Sequence, residues 1–97
     1  MRFGWDPKKA AANQVKHRVR FEEAITAFDD PFALVAPDEM HSTGDEERRW
    51  LIGEADRGVL VVVFTVRQPS DIHRLISARR ASRKERLRYE ASKGISL

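Results

Sequence analysis

The chain has 97 residues, of which 34% are charged and 41% are hydrophobic, and it contains no cysteine. This length predicts a single domain over residues 1–97, and the lack of cysteine excludes disulfides, thiolate metal sites and thiol nucleophiles. The longest apolar run, residues 59–64, is too short to span a bilayer and the N-terminus has no apolar signal segment, so we expect a cytoplasmic protein without a membrane partner.

The net charge of +3 is distributed unevenly along the chain. Residues 1–20 carry six Lys or Arg against one acidic residue, residues 21–66 carry three against eleven, and residues 67–97 carry nine against three. If the two basic ends meet in the folded chain, they form a positive surface suited to a polyanion such as nucleic acid. The alternative is that these charges are scattered over the surface and bind no partner.

The N-terminal part of the chain predicts two helices after a short apolar segment, which suits either an edge strand or an arm held by Trp5. Asp6-Pro7 is typical of a helix start, with Asp6 as N-cap and Pro7 as first helical residue, and it predicts a helix from Pro7 to His17. A second short helix is predicted because four apolar residues recur at helical spacing: Phe21, Ala24, Ile25 and Phe28.

The rest of the chain predicts a strand meander that ends in a helix. Apolar and β-branched runs predict strands over residues 32–36, 48–55 and 59–66, the last of them at the sheet centre because both of its faces are apolar. A polar loop over residues 37–45 separates the first two.

The fourth predicted strand leads directly into a basic helix. Strict alternation would place one set of side chains on each face of this strand: Ile72, Arg74, Ile76 and Ala78 against His73, Leu75, Ser77 and Arg79. Ser82 and Glu85 have the spacing of a capping box and predict that the C-terminal helix starts at Ser82. The chain is therefore expected to be α+β, with an antiparallel sheet of about four strands, two N-terminal helices and one C-terminal helix, all on one sheet face.

Several short motifs occur in order along nearly the whole chain: Phe3-Gly4-Trp5-Asp6, Lys16-His17, Phe21-Glu22-Glu23-Ala24, Phe28-Asp29-Asp30-Pro31, Arg48 with Gly53, and Arg74-Leu75-Ile76-Ser77-Ala78-Arg79-Arg80-Ala81 with Glu85 and Tyr89. In these motifs the chain resembles the BrnT toxins of bacterial type II toxin–antitoxin systems, which have a RelE-like ribonuclease fold. One departure is Arg18, where the family usually has Gly after the Lys-His pair. A second is Gly44-Asp45-Glu46-Glu47, where the family usually has Gly-Glu directly before the arginine.

The resemblance implies an activity and two partners. It implies an RNA-cleaving toxin that blocks translation, with RNA as substrate. It also implies a BrnA-like antitoxin that carries a ribbon-helix-helix DNA-binding part, in a complex that binds operator DNA and represses its own operon.

RNA cleavage without a metal needs side chains in three catalytic roles. One group takes a proton from the 2′-hydroxyl, cations neutralise charge on the phosphorane, and another group returns a proton to the 5′-oxygen. With the resemblance, these needs predict the catalytic residues His17, Arg48, Arg79 and Tyr89. Further residues are predicted to bind RNA: Lys16, Arg74, Ser77, Arg80 and Lys84.

Each of these roles has a structural alternative. His17 could cap the carbonyls of a helix end, Arg79 could pair with an acidic residue, and Tyr89 could be a packed aromatic side chain. Glu54 is a minor candidate for the general base. No cluster of His, Asp and Glu has metal-ligand spacing, so we expect neither metal nor cofactor, and His41 is left without a role.

Two other classes of function remain open from the sequence. The first is a basic module that binds RNA or a partner without chemistry, which would show salt-sensitive binding and leave the RNA intact. The second is a pure interaction protein whose surface is covered by another chain.

Overall fold

A five-stranded mixed sheet organises the part of the chain that the computed structural model describes, residues 1–44 and 46–94. Its elements are β1 (Arg2–Gly4), α1 (Pro7–His17), α2 (Phe21–Ala24), a 3₁₀ helix (Ile25–Asp29), β2 (Leu34–Pro37), β3 (Arg48–Ala55), β4 (Gly58–Arg67), β5 (Ile72–Arg80) and α3 (Arg83–Ser92). Asp45, the last residue of the predicted polar loop, lies outside the described residues. None of the described helices is both long and apolar enough to cross a membrane.

The strand order is β1-β5-β4-β3-β2, and it corrects the predicted sheet in two ways. The sheet has five strands because the N-terminal apolar segment forms β1. It is mixed because β1 pairs in parallel with β5, whereas the other neighbours are antiparallel. The α+β class and the central position of β4 are confirmed. The second predicted helix is only partly matched, since α2 has four residues and continues as the 3₁₀ helix.

The two basic ends of the chain meet, as the charge pattern suggested. β1 pairs with β5, and α1 packs against β5. Asn13 fixes this contact from the middle of α1: its Nδ2 donates to the carbonyls of Val19 (3.0 Å) and Ala78 (2.9 Å), and its Oδ1 accepts from the Ala78 N–H (3.0 Å). The buried amide thus takes the place of a neighbouring strand along the edge of β5.

A β-bulge in β5 decides which of its side chains share a face. Phe64 pairs with Leu75 but Val63 pairs with Ser77, so Ile76 is an extra residue between them. The strict alternation predicted from the sequence therefore holds on each side of the bulge and is wrong across it, because an inserted residue reverses the facing of the residues beyond it. Leu75 and Ala78 lie on one face, and a cationic and polar set lies on the other: Arg74, Ser77 and Arg79.

One face of the sheet, called the closed face, packs under α1, α2 and the 3₁₀ helix. Its core consists of buried apolar side chains from the sheet and these helices: Val19, Phe21, Ala24, Ala27, Leu51, Ala55, Leu60, Val62, Phe64, Leu75 and Ala78. Trp5 packs edge-on against Phe21 with 5.7 Å between ring centroids. Gly53 lets the 3₁₀ helix approach β3 closely, because a Cβ there would stand 2.8 Å from the Ala27 carbonyl oxygen. Full burial of each large side chain contributes about 1.5–3 kcal/mol to stability.

The opposite face, called the cavity face, is covered in part by α3. The predicted capping box is confirmed: the Ser82 hydroxyl accepts from the Glu85 N–H, and the Glu85 carboxylate accepts from the Ser82 N–H. Tyr89 and Ala81 pack there with Ile52 and Val61. The prediction that all helices lie on one face is therefore wrong. The side on which the last helix packs depends on contacts with residues far away in the chain, such as Ile52 and Val61, and no periodicity in the sequence indicates it.

Candidate functional site

A cavity of about 460 Å³ opens on the cavity face beside α3. Strands β3, β4 and β5 contribute apolar side chains to it, chiefly Ile52, Val61, Val63 and Ile76. Charged and polar side chains complete the lining: Asp38, His41, Arg48, Ser77, Arg79, Glu85 and Arg88. Its size is typical of pockets that hold small ligands.

Arg79 projects from β5 into this cavity, where α3 holds it. Its Nη1 donates to Glu85 Oε1 at 2.7 Å and its Nη2 donates to Oε2 at 2.8 Å. This paired hydrogen bond raises the pKa of Arg79 and lowers the pKa of Glu85 to about 2. Because a guanidinium binds a carboxylate and a phosphate in the same forked geometry, Glu85 and an anionic ligand would compete for Arg79.

Arg48 enters the cavity from the start of β3. Its Nε donates to Glu46 Oε1 at 3.0 Å, and its backbone N–H donates to the Ser42 hydroxyl at 2.9 Å. Arg48 pairs with Thr65 on β4, and Thr65 pairs with Arg74 on β5. The bulge therefore places Arg74 on the same sheet face as Arg48 and Arg79, although Arg74 does not line the cavity.

Lys16 and His17 lie beside the cavity and not in it. They line a neighbouring depression of about 280 Å³ at the end of α1, which also includes Ile76 and Ser77. Ser77 and Ile76 line the cavity as well. The bulged segment of β5 therefore borders both depressions, the one that His17 lines and the one that Arg79 lines.

Three other predicted site residues are not brought to this place. Arg80 faces away from the cavity and donates to the Arg57 carbonyl at 3.0 Å. Lys84 lies exposed in the first turn of α3. Tyr89 is fully buried between α3, to which it belongs, and the sheet, and its hydroxyl donates to the Asp30 carboxylate.

The environment of Tyr89 suits packing. Burial raises the pKa of its hydroxyl, and the hydrogen bond to Asp30 raises it further. Burial also tends to raise the pKa of Asp30, but the hydrogen bonds from Tyr89 and from the Glu54 and Phe32 N–H groups bring it below its usual value. A tyrosine held in this way is a poor proton carrier near neutral pH, so we leave Tyr89 out of the candidate site.

Four ionisable residues of the cavity were not assigned a site role from the sequence: Asp38, His41, Glu85 and Arg88. Asp38 and His41 form a contact of their own, with His41 Nδ1 lying 3.0 Å from Oδ1 and 2.9 Å from Oδ2. Their three-residue spacing in the sequence is the available signal for this contact. Arg88 lies over the Trp50 ring, with its Cζ 5.5 Å from the ring centroid.

The described part of the chain contains no group of three or more His, Asp or Glu side chains placed to hold a metal ion. The cavity instead offers three guanidinium groups, an imidazole with a carboxylate partner, and a serine hydroxyl. Such a set can neutralise a phosphate and move protons.

Comparison with known proteins agrees with this chemistry. A family model described as a ribonuclease toxin, BrnT, of type II toxin–antitoxin systems matches residues 5–85. No curated protein matches the chain. The matched span begins directly after β1, which ends at Gly4, and it reaches into the first turn of α3.

Proposed function

Because the chain belongs to the BrnT family of ribonuclease toxins of type II toxin–antitoxin systems, we propose that it is a metal-independent endoribonuclease that inhibits translation. The proposal treats residues 1–97 as a single toxin domain of the RelE-like kind. Its active centre is the cavity beside α3 together with the depression that carries His17.

The observation that carries this proposal is the convergence of Arg48, Arg79 and Ser77 on one cavity. Two guanidinium groups can hold the non-bridging oxygens of a phosphodiester and offset the negative charge of the phosphorane. The Ser77 hydroxyl can donate to a phosphate oxygen. A phosphate at this place would lie close to the His17 depression, because Ser77 belongs to both.

In the proposed reaction the 2′-oxygen of a ribose attacks the adjacent phosphorus while the bond to the 5′-oxygen breaks. A base takes the 2′-hydroxyl proton and an acid protonates the departing 5′-oxygen. His17 is the proposed group on one side of the phosphate. Lys16 beside it and Arg74 on β5 would contact the flanking RNA backbone, and the exposed Lys84 would extend that contact.

Glu85 would either share Arg79 with the RNA phosphate or release it when RNA binds. In this structure both guanidinium arms of Arg79 that face α3 are used by the Glu85 carboxylate. The phosphate would bind Arg79 through its remaining donors or replace Glu85, since a guanidinium carries five N–H groups.

The proposal includes the partners and location that the family resemblance implies. A BrnA-like antitoxin with a ribbon-helix-helix part would neutralise the toxin, and their complex would bind operator DNA. The activity would be exerted in the cytoplasm, where translation takes place. The basic surfaces that face RNA are the first place to look for an antitoxin contact, because covering them would block the substrate.

Cleavage of an RNA oligonucleotide in the presence of EDTA tests the proposed reaction. We expect the unchanged protein to cut, and Arg79→Gln and Arg48→Gln to lose on the order of 10²-fold in rate, because each removes a cation from the phosphorane. Arg49→Gln is the matched control, since Arg49 neighbours Arg48 but does not line the cavity and pairs with Glu47. Its rate should stay within about twofold of the unchanged protein.

His17→Ala tests the proposed proton carrier in the same assay and in growing cells. Loss of a general acid or base typically costs 10²–10⁴-fold. Cells that express this variant should grow, whereas cells that express the unchanged chain without an antitoxin should not. Intact RNA after long incubation with the unchanged protein, together with salt-sensitive binding, would instead favour the non-catalytic binding module.

A further inference from the structure

We propose that His41 is a second catalytic acid/base residue of the cavity and that Asp38 is the residue that positions its ring. This inference rests on the proposed ribonuclease function and adds to it, because RNA cleavage without a metal needs both a proton acceptor and a proton donor.

The contact between Asp38 and His41 fixes which ring nitrogen is available. His41 Nδ1 lies within 3.0 Å of both carboxylate oxygens of Asp38, and a carboxylate can only accept, so Nδ1 must donate. The proton of a neutral ring is therefore on Nδ1, and Nε2 is left with a free lone pair. Among the described residues no protein group hydrogen-bonds to Nε2.

A carboxylate that orients a catalytic imidazole should be held in the protein while the ring stays accessible, and the Asp38 and His41 side chains differ in exposure in this way. The Asp38 side chain is only 15% exposed, whereas the His41 side chain is 64% exposed. The carboxylate is thus held in the protein and the ring reaches out to the cavity that both residues line. An Asp that orients an imidazole towards a reacting group has the same division of roles in hydrolases with a Ser-His-Asp triad.

The turn that carries the pair is tied to the backbone of a cavity arginine. The Asp38 N–H donates to the Arg48 carbonyl at 2.7 Å, and the Ser42 hydroxyl donates to the Asp38 carbonyl at 2.7 Å. The same hydroxyl accepts from the Arg48 N–H at 2.9 Å. Both ends of the turn therefore move with Arg48, so the ring is held relative to the phosphate that Arg48 would bind.

The other two histidines occupy different surroundings. His73 stacks on Phe64 at 5.6 Å between ring centroids and contacts Phe3 and Phe28, so its ring is part of an aromatic cluster. His17 lies in the neighbouring depression. Within the described part of the chain, His41 is the histidine that shares a cavity with Arg48 and Arg79.

The proposed step is a proton-balanced transesterification. His41 Nε2 takes the proton of a ribose 2′-hydroxyl, the 2′-oxygen bonds to phosphorus, and the bond from phosphorus to the 5′-oxygen breaks. His17, in the neighbouring depression that Ser77 also lines, gives a proton to the 5′-oxygen. The products are a 2′,3′-cyclic phosphate and a 5′-hydroxyl, and exchange with water returns the two imidazoles to their starting protonation states.

Cleavage rates of His41→Ala and Asp38→Asn test the inference, with the full chain and an RNA oligonucleotide in EDTA. We expect losses of about 10²–10⁴-fold for His41→Ala and of about tenfold or more for Asp38→Asn. Met40→Ala and Glu39→Gln are the matched controls, because both residues are exposed in the same turn. A 2′-O-methyl oligonucleotide, which cannot react, should bind His41→Ala and Asp38→Asn as tightly as it binds the unchanged protein.

Two further measurements separate catalysis from a structural role of the turn. Added imidazole should restore part of the rate of His41→Ala but none of the rate of Arg79→Gln. The double variant His41→Ala with Asp38→Asn should be no slower than His41→Ala alone, because a positioning residue has no effect once the ring is gone.

The outcomes distinguish the inference from the function it rests on. If the unchanged protein cuts RNA and His41→Ala cuts equally fast, the role of His41 is wrong and the proposed function stands. If His41→Ala is slow but Asp38→Asn is not, the role of Asp38 is wrong. If the unchanged protein leaves RNA intact, both the proposed function and this inference are overturned.

Discussion

The two faces of the sheet differ in how completely they are covered. On the closed face, α1, α2 and the 3₁₀ helix bury a continuous apolar core that includes Phe21, Leu60 and Val62 at 0% exposure. On the cavity face, α3 has one buried side chain, Tyr89, and its Leu87 is 60% exposed. The same strands thus supply the larger packed core on one side, and on the other a smaller cluster beside an open cavity with charged side chains.

This difference shows that the residues of the main core and the residues of the candidate site lie on opposite faces of the sheet. Side chains of β4 at even positions from 60 to 64 are buried in the closed face, while those at 61 and 63 line the cavity. The bulge in β5 extends the separation to the neighbouring strand by turning Ser77 and Arg79 to the cavity. Substitutions should therefore act on stability from one face and on RNA cleavage from the other.

The largest expected effect tests the closed face. Phe21→Ala should lower the free energy of unfolding by about 3–5 kcal/mol, because it leaves a cavity next to Trp5 in the main core. Leu87→Ala on the cavity side should change it by less than about 0.5 kcal/mol. Denaturant titration measures both, and comparable losses for the two variants would contradict the comparison.

The next effect concerns the edge of β5, where the two faces meet. Asn13→Ala should cost about 2–3 kcal/mol of stability, since it leaves the Ala78 N–H and two carbonyls without their buried partners. Gln14→Ala, an exposed change in the same helix, should have little effect. Thermal unfolding of the pair checks this, and equal midpoints would mean that the amide is not what holds α1 to the sheet.

A smaller effect on stability is expected where α3 meets the cavity, and it depends on pH. The pKa of Glu85 in the folded chain, about 2, is below its usual 4.5, because of the hydrogen bonds from Arg79. The ionised Glu85 carboxylate therefore stabilises the folded chain fully above pH 4.5, and this stabilisation disappears as the pH falls towards 2. Glu85→Gln should lower the free energy of unfolding by about 1–2 kcal/mol at pH 7 and by almost nothing near pH 2. The value at pH 7 is modest because Arg79 is partly exposed and solvent screens the ion pair.

Unfolding curves at several pH values measure this dependence. Glu90→Gln is the control, because Glu90 is exposed on the same helix and meets only Lys93 at 3.9 Å. A stability difference between Glu85→Gln and the unchanged chain that stayed constant with pH would show that the ion pair is not its source.

The smallest expected effect on stability is on the cavity face itself. Ser77→Ala should change the free energy of unfolding by less than about 0.5 kcal/mol but slow RNA cleavage about tenfold, since it removes one donor to the phosphate. Ser70→Ala, in the exposed turn before β5, should alter neither quantity. A Ser77→Ala variant that is destabilised but cleaves RNA at the full rate would contradict the assignment of RNA cleavage to the cavity face and of stability to the closed face.

Elements with local signals were predicted well from the sequence. The bounds of α1 and β3 agree with the prediction, because Asp6-Pro7 and the polar residues around β3 mark their ends within a few positions. The capping box of α3 is equally local. In contrast, the parallel pairing of β1 with β5 joins residues about 70 positions apart, and nothing near Phe3 indicates its partner.

The candidate site was predicted only in part, for the same reason. Basic residues on β5 and the family resemblance pointed to Arg48, Ser77 and Arg79, which line the cavity together. The burial of Tyr89 could not be decided from the sequence, because an isolated tyrosine on a helix gives no sign of which face is buried. Asp38 and His41 were passed over because the loop that carries them has no periodicity, and only its hydrogen bonds to Arg48 bring it to the cavity.

The sequence by itself determined the α+β class, the order and approximate bounds of most elements, and the concentration of cations at both ends of the chain. The tertiary structure decided which side chains meet. One inserted residue in β5 sets the facing of Ser77 and Arg79, the direction in which α3 folds back places Glu85 and Arg88, and hydrogen bonds to Arg48 place the loop of Asp38 and His41. These choices depend on contacts between residues far apart in the chain, and local propensity and periodicity carry no information about such contacts.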